Sequence, residues 1–368
     1  MRILVMSAGA GAGHNRAAEA IAACGKEFLP QHHVEWFDSL TYTSKTFEKL
    51  YGQSYVWIVN NSPTTWGALY KVMGENVERP KLMKAVKLFD KLAYKKLIAH
   101  VEEFKPDAVV ATHFLPTNVV LTKLKNKAPK VYVCVTDFDV HSFWVNRGAS
   151  GYFVASEEVK WLLAQYGYPK ELITVTGIPI LPAFSQRRGR DLVARELGID
   201  PALPTVLCMS GGFGMGHMEE AVARLLTIKI PHQLVVICGK NDKARAKIEV
   251  LARGTRTKVM GFVTNVHEWM EASDIVISKS GGLTTSECLA RGVPMVVYSP
   301  IPGQEERNCD FLMEHGAAVK ASSLGILDYK VAELLADPGR LAKMKDAARR
   351  AARPMAGRDL LNHVIERK

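Results

Sequence analysis

Short runs of aliphatic and β-branched residues alternate along this chain with longer stretches whose apolar positions recur every three or four residues. The first pattern predicts strands over Arg2–Met6, Val34–Phe37, Ala108–Thr112, Val131–Val135 and Gly151–Val154. A second series follows over Thr205–Met209, Gln233–Cys238, Thr257–Met260, Asp274–Ser278 and Pro294–Tyr298. Stretches such as Asn15–Phe28 and Met218–Leu226 carry the helical period. Strands alternating with helices predict an α/β protein whose parallel sheets are covered by helices on both faces.

The two series are separated by Gly177-Ile178-Pro179-Ile180-Leu181-Pro182 and the basic cluster Arg187-Arg188-Gly189-Arg190, which suits a solvated linker. A chain of 368 residues accommodates two domains. We place the first at 1–182 and the second at 190–350, and expect 351–368 to form a helix that packs back on the first. No apolar run approaches the ~20 residues that span a bilayer, and the N-terminus reads as a first strand rather than a signal peptide. None of the six cysteines has C-x-x-C spacing, so buried, reduced thiols in a cytoplasmic protein are expected.

A formal charge of +11 calls for an anionic partner: nucleic acid, an anionic membrane or a phosphorylated substrate. Its location favours the membrane. Between Thr41 and Lys105 a helical, strand-free insertion carries Lys71, Arg79, Lys81, Lys84, Lys87, Lys91, Lys95 and Lys96 among Trp57, Trp66, Tyr70 and Phe89. Basic residues interleaved with apolar ones suit the surface of an anionic bilayer. The same composition also suits an ordinary amphipathic helix, and no RNA-binding motif accompanies it, so no nucleic-acid partner is expected.

Two glycine loops echo each other. Ser7 to His14 aligns without gaps on Ser210 to His217, with Ser, three glycines and His in the same places, each loop following a strand and preceding a helix. Such a loop gathers unpaired amides that attract an anion. Neither has the spacing of a dinucleotide fingerprint or a P-loop. His14, at a helix start, is favoured as the neutral imidazole, which can accept a proton; a capping or packing histidine is the alternative.

The densest chemistry lies between Ser278 and Asn308. Gly281-Gly282 turns the chain into a helix whose free amides and hydroxyls suit a diphosphate. Glu287, about one turn in, can accept two hydroxyl protons, as from a ribose. Gln304-Glu305 follow the next strand and suit the hydroxyls of a hexose. Each group falls at a strand's C-terminal end, where such sheets bind ligands.

Gly281-Gly282-Leu283-Thr284-Thr285-Ser286-Glu287, Gly292-Val293-Pro294 and Pro302-Gly303-Gln304-Glu305 with Asn308 resemble the donor signature of the family of monogalactosyldiacylglycerol synthases and processive diacylglycerol glucosyltransferases, relatives of the peptidoglycan N-acetylglucosaminyltransferase. Ser7 to Ile21 resembles the family's acceptor loop, with Gly11 and Gly13, although Ala12 interrupts its usual glycine run. Val135-Thr136-Asp137-Phe138 with His141 and Trp144 resembles its Val-Thr-Asp motif. The resemblance implies a GT-B fold, two doubly wound Rossmann-like domains facing a cleft. It implies inverting transfer, with no metal or other cofactor, from UDP-glucose or UDP-galactose to diacylglycerol by an enzyme peripheral to the inner face of the cell membrane. It implies Glu287 on the ribose, Gln304 and Glu305 on the sugar, and Gly281, Gly282, Thr284, Gly211 and Gly212 on the diphosphate. Phe262 would pack the uracil. His14 and Asp137 remain alternative catalytic bases, and Asp137-Phe138-Asp139, spaced like a metal motif, lies in the acceptor half. Alternatives are a same-fold transferase with another lipid or small-molecule acceptor, a UDP-sugar 2-epimerase and a non-catalytic binding protein.

Overall fold

In the strand Arg2–Ser7 (β1) the side chains of Ile3 and Val5 enter one apolar layer, and those of Leu4 and Met6 enter the opposite one. Burial on both faces explains why the run is apolar throughout rather than alternating with polar residues. The computed structural model describes residues 1–9, 12–43, 95–209 and 217–367. The chain forms two units, one of Met1–Pro182 with Pro302–Gln304 and Met355–Lys368, the other of Ala183–Ile301 with Glu305–Pro354.

In the first unit, β1 is followed by α1 (Ala12–Phe28), β2 (His33–Asp38), α2 (Lys95–Phe104), β3 (Ala108–Ala111), α3 (Phe114–Leu124), β4 (Lys130–Cys134), β5 (Gly151–Val154), α4 (Glu157–Gln165) and β6 (Ile173–Val175). The strands form one parallel sheet in the order β2-β1-β3-β4-β5-β6. The chain winds outward from β1 to β2, then restarts at β3 on the other side. The switch point of this sheet therefore lies between β1 and β3, where ligands bind outside the strand C-termini.

The second unit contains α5 (Arg190–Glu196), β7 (Thr205–Met209), α6 (Met218–Leu225), β8 (Gln233–Ile237), α7 (Asp242–Leu251), β9 (Thr257–Met260), α8 (Val266–Glu271), β10 (Ile275–Ser278), α9 (Gly282–Arg291), β11 (Met295–Tyr298), α10 (Gln304–Glu314), β12 (Ala318–Ala321), α11 (Leu327–Ala336) and α12 (Pro338–Ala351). Its parallel sheet has the order β12-β11-β10-β7-β8-β9, with the switch point between β7 and β10. Both sheets are doubly wound, as the alternation of patterns predicts.

The last helix, α13 (Ala356–Glu366), belongs to the first unit. Leu360, Leu361 and Val364 join Ile21 and Cys24 of α1 in the layer beneath β1 and β3. A Cβ on Gly357 would stand 2.6 Å from the Cys24 sulfur, so only glycine allows this approach of the two helices.

The basic cluster at 187–190 is exposed over its first three residues, as a solvated linker would be, but it is also tied to the second unit. Arg188 pairs with Glu196 at 2.6 Å and Arg190 with Asp274 at 2.8 Å. The buried Arg291 pairs with Glu271 at 3.0 Å and donates to the carbonyls of Ala183 and Gln186. The other Glu271 oxygen accepts from the amides of Arg188 and Gly189. A buried pair needs partners for its remaining hydrogen-bonding groups, and here the linker backbone supplies most of them, with Arg291 Nε left without one among the described residues. All six cysteines are free and buried.

Candidate active site

At the switch point of the first sheet a histidine bridges three chain segments. α1 begins at Ala12, earlier than the sequence pattern predicts, so Gly13 and His14 stand in its first turn. His14 Nδ1 lies 3.0 Å from the backbone carbonyl of Thr112, just past β3, and 2.9 Å from the hydroxyl of Thr136, just past β4. The Thr112 hydroxyl donates to the His14 carbonyl at 3.0 Å, which fixes the backbone as well as the ring. A carbonyl oxygen only accepts, so Nδ1 carries the proton and Nε2 is left with its lone pair. Among the described residues Nε2 has no hydrogen-bond partner.

Two further histidines pack beside it. The His14 and His113 rings meet edge to face at 4.7 Å, and both His113 and His141 lie 6.2 Å from the Trp144 ring. His113 Nδ1 accepts the Leu115 amide at the start of α3, and His141 Nδ1 accepts the Phe143 amide. Both therefore carry their proton on Nε2, the reverse of His14. Burial pushes the His14 imidazole down to about 4 from its ordinary 6.5, against a smaller upward pull from the Thr112 carbonyl. Burial, with His14 alongside, takes His141 down to about 3 and His113 well below the usual range. All three are neutral at pH 7, and His14 alone combines a neutral ring with an unpartnered Nε2 lone pair. Asp137, the alternative base, directly follows Thr136 in the segment past β4, and it is Thr112 and Thr136 that contact the His14 ring nitrogen. The sequence pointed to His14 but not to its partners, which lie 98 and 122 residues away in the chain.

A carboxylate braces the loop ahead of α1. Asp38, ending β2, accepts from the Gly9 amide at 3.1 Å, the Asn15 side chain at 2.9 Å and the Leu40 amide at 2.9 Å. A Cβ on Gly9 would fall 2.3 Å from that carboxylate. Gly11 lies outside the described residues, as do Gly211, Gly212 and residues 44–94 of the basic insertion. Lys95 and Lys96 are described, and are exposed at the start of α2.

The second unit gathers its polar groups at the strand C-termini beside its own switch point. Gly281 caps α9 without a side-chain bond, so the first-turn amides point away from any internal acceptor. The other eight residues of α9 are buried; Thr284 and Glu287 are only partly covered. Together with Gly281 they recur every three residues along one helix edge, while Gly282 lies beneath. Lys279, also partly covered, precedes this turn. The Ser280 hydroxyl donates to the Glu305 carbonyl at 2.6 Å, and the Asn308 amide group donates to the Ser280 carbonyl at 2.9 Å. These bonds tie the start of α10 to the turn that opens α9.

Glu305 is turned partly inward. One carboxylate oxygen accepts the Ile301 amide at 2.6 Å, and the other would lie 3.8 Å from a Cβ placed on Gly281. Burial raises its pKa, opposed by the Ile301 amide and Lys279. Gln304 opens α10 beside it. Ser299, in the same loop, holds φ at +48°, a strained value of the kind that gathers at functional sites. Phe262 follows β9, is 67% exposed as a residue, and has the Lys240 ammonium 5.9 Å from its ring centroid.

The echo between the two glycine loops does not extend to their histidines. His217 is the left-handed N-cap of α6, exposed and 3.0 Å from Glu220. Among the described residues no three His, Cys, Asp or Glu side chains are grouped to hold a metal ion, and no helix is long and apolar enough to cross a membrane.

The family model of monogalactosyldiacylglycerol (MGDG) synthase matches residues 14–180, and that of the glycosyltransferase family 28 C-terminal domain matches residues 209–358. Each match covers one of the two switch-point sites. A processive diacylglycerol β-glucosyltransferase of Bacillus cytotoxicus is 30% identical over 302 residues, 81% of this chain and 77% of that protein. Among solved structures, Acinetobacter baumannii MurG is similar with a TM-score of 0.66 at 17% identity, over 99% of both chains. A UDP-GlcNAc 2-epimerase from Neisseria meningitidis, bound to UDP-GlcNAc, gives 0.63 at 14% identity over the whole of both chains. These two neighbours show the GT-B fold, which transferases and epimerases share. The sequence matches go further: the chain belongs to the glycosyltransferase family of the MGDG synthases and processive diacylglycerol β-glucosyltransferases.

Proposed function

We propose that this protein transfers a hexose from a UDP-sugar to diacylglycerol with inversion, at an anionic membrane surface and without a metal. The observation that carries the reading is a neutral His14 at the C-terminal edge of the first sheet whose Nε2 has no partner among the described residues. In this reading Nε2 takes the proton of the acceptor hydroxyl. The hydroxyl oxygen bonds to the anomeric carbon, the bond from that carbon to the diphosphate breaks, and the electron pair leaves with UDP. A base as weak as this one removes the proton only as the new C–O bond forms and the hydroxyl becomes acidic. Asp137 orients the acceptor.

On the donor side, the α9 amides, Gly281, Gly282 and Thr284 receive the charge growing on the diphosphate. Glu287 accepts from the ribose hydroxyls, Gln304 and the Glu305 carboxylate hold the hexose, and Phe262 offers its ring to the uracil. Gly211 and Gly212 complete the diphosphate site. Lys95 and Lys96, with the basic residues of 71–91, attract the bilayer, each near-surface charge contributing roughly 1 kcal/mol.

The test is incubation with UDP-glucose or UDP-galactose and vesicles containing diacylglycerol and anionic lipid, read by mass spectrometry. A glycosylated lipid is expected, with its yield retained in EDTA and the protein sedimenting with anionic vesicles at low salt only. Conversion of a UDP-sugar to its 2-epimer with no lipid product would overturn the reading.

A further inference from the structure

We propose that Thr136 is the positioning residue of the base, its hydroxyl and the Thr112 carbonyl together locking His14 with the proton on Nδ1 and Nε2 facing the acceptor. The inference rests on the reading of His14 as the base. It assigns to two neutral oxygens the task that a carboxylate performs in a Ser-His-Asp triad.

The geometry argues for two acceptors rather than one. Both oxygens converge on the same ring nitrogen, at 3.0 and 2.9 Å, and they come from strands adjacent in the sheet. Rotating the ring by half a turn would replace Nδ1 by a carbon and break both bonds. The other tautomer would set a lone pair against the Thr112 carbonyl lone pairs. Thr136 is 3% exposed, so no bulk water stands ready to replace its hydroxyl. His113, edge-on at 4.7 Å, restrains the imidazole from the side. When Nε2 takes the acceptor proton, the positive charge spreads to Nδ1–H, and the same two oxygens receive it. Thr136 thus acts in the resting state and again in the transition state, without touching substrate.

The test compares Thr136→Val, Thr136→Ala and Thr136→Ser in the wild-type and His14→Gln backgrounds, with saturating UDP-sugar and diacylglycerol vesicles. Thr136→Val should lower kcat roughly three- to thirtyfold at unchanged donor KM, the size expected for one hydrogen bond to a ring that becomes charged. Thr136→Ser should restore most of the rate. Thr136→Val should add nothing to the loss already caused by His14→Gln, because it acts through that ring. Nitrogen-15 shifts of the His14 ring should show Nδ1–H in the wild type and in Thr136→Val alike, because the Thr112 carbonyl still accepts, with the Nδ1 signal displaced in the variant by loss of the second acceptor. Thr136→Ala provides the same comparison should the valine variant fold poorly.

A Thr136→Val enzyme with wild-type kcat, or one whose loss persists undiminished on top of His14→Gln, would overturn the assignment of Thr136. A nearly active His14→Gln would instead overturn the base itself, so the two failures are distinguishable.

Discussion

Thr284 and Glu287 stand three residues apart on the one partly open edge of α9, whose other eight residues are buried. The spacing puts a hydroxyl and a carboxylate side by side within the first two turns of a helix whose N-cap is a glycine. Replacing Glu287 by alanine should weaken UDP binding by about 1–3 kcal/mol, the range for lost charged hydrogen bonds. Titration calorimetry with UDP measures it, and an unchanged affinity would remove Glu287 from the ribose role.

Glu305 serves a turn and, in the proposed function, a substrate. Its bond to the Ile301 amide survives in Glu305→Gln, whose side-chain oxygen can accept in the same place. Because burial raises the carboxyl pKa, the ionised group costs stability at pH 7, and the glutamine removes that cost. Glu305→Gln should therefore melt no lower than the wild type while donor KM rises about tenfold for one charged hydrogen bond. Glu305→Ala should lose about 1–3 kcal/mol of stability as well, because the Ile301 amide is left without its acceptor. A glutamine variant with unchanged KM would leave Glu305 with the turn alone.

The three histidines around Trp144 make the protein acid-sensitive. Their folded pKa values lie below the unfolded 6.5, to about 4 for His14 and about 3 for His141. Between these values the unfolded chain binds more protons than the folded one, so stability falls as pH drops from 6.5 towards 4. Each buried group contributes up to about 1.4 kcal/mol per pH unit in that window. Thermal midpoints from pH 7.5 to 4.5 should show the slope. His113→Asn, which keeps an acceptor for the Leu115 amide but does not titrate, should flatten it. The same shift predicts a rate that stays level down to about pH 5.5, where an ordinary histidine base would already be mostly protonated. An acid limb centred at 6.5 would contradict the environment described for His14.

Gly357→Ala tests the seat of the C-terminal helix. The new methyl would meet the Cys24 sulfur at 2.6 Å in a packed layer. Overpacking of this kind costs about 1–3 kcal/mol. The melting temperature should fall, and Cys24→Ala should restore much of it by making room. Donor KM should not change, because the contact lies within the first unit whereas the donor groups of α9 belong to the second.

Of the twelve strands among the described residues ten were legible, eight of them as apolar runs because a strand covered on both faces must be apolar throughout, while β2 and β9, only partly covered, were legible from their short β-branched and aromatic runs. The two that escaped are β6, only three residues long, and β12, whose Ala318-Val319-Lys320-Ala321 has little apolar bulk. Both lie at sheet edges, as do β2 and β9, so it is shortness and lack of apolar bulk rather than the edge itself that hid them. The glycine turn at 281–282 and the spacing of Thr284 and Glu287 were legible too, since a helix converts spacing into a shared edge without outside help.

The tautomer of His14 was not legible. Ring chemistry is the same in every histidine, and what separates His14 from His113 and His141 is which atom faces Nδ1. For His113 and His141 that atom is an amide two residues along the chain, a local capping bond. For His14 it is a carbonyl and a hydroxyl that only the crossover between β1, β3 and β4 brings together. The sequence determined the alternation of strands and helices, the turns and the candidate groups, because these depend on neighbours in the chain. The tertiary structure alone decided which nitrogen holds a proton, which carboxylate braces a turn and where the last helix rests, because each depends on partners that folding draws from distant segments.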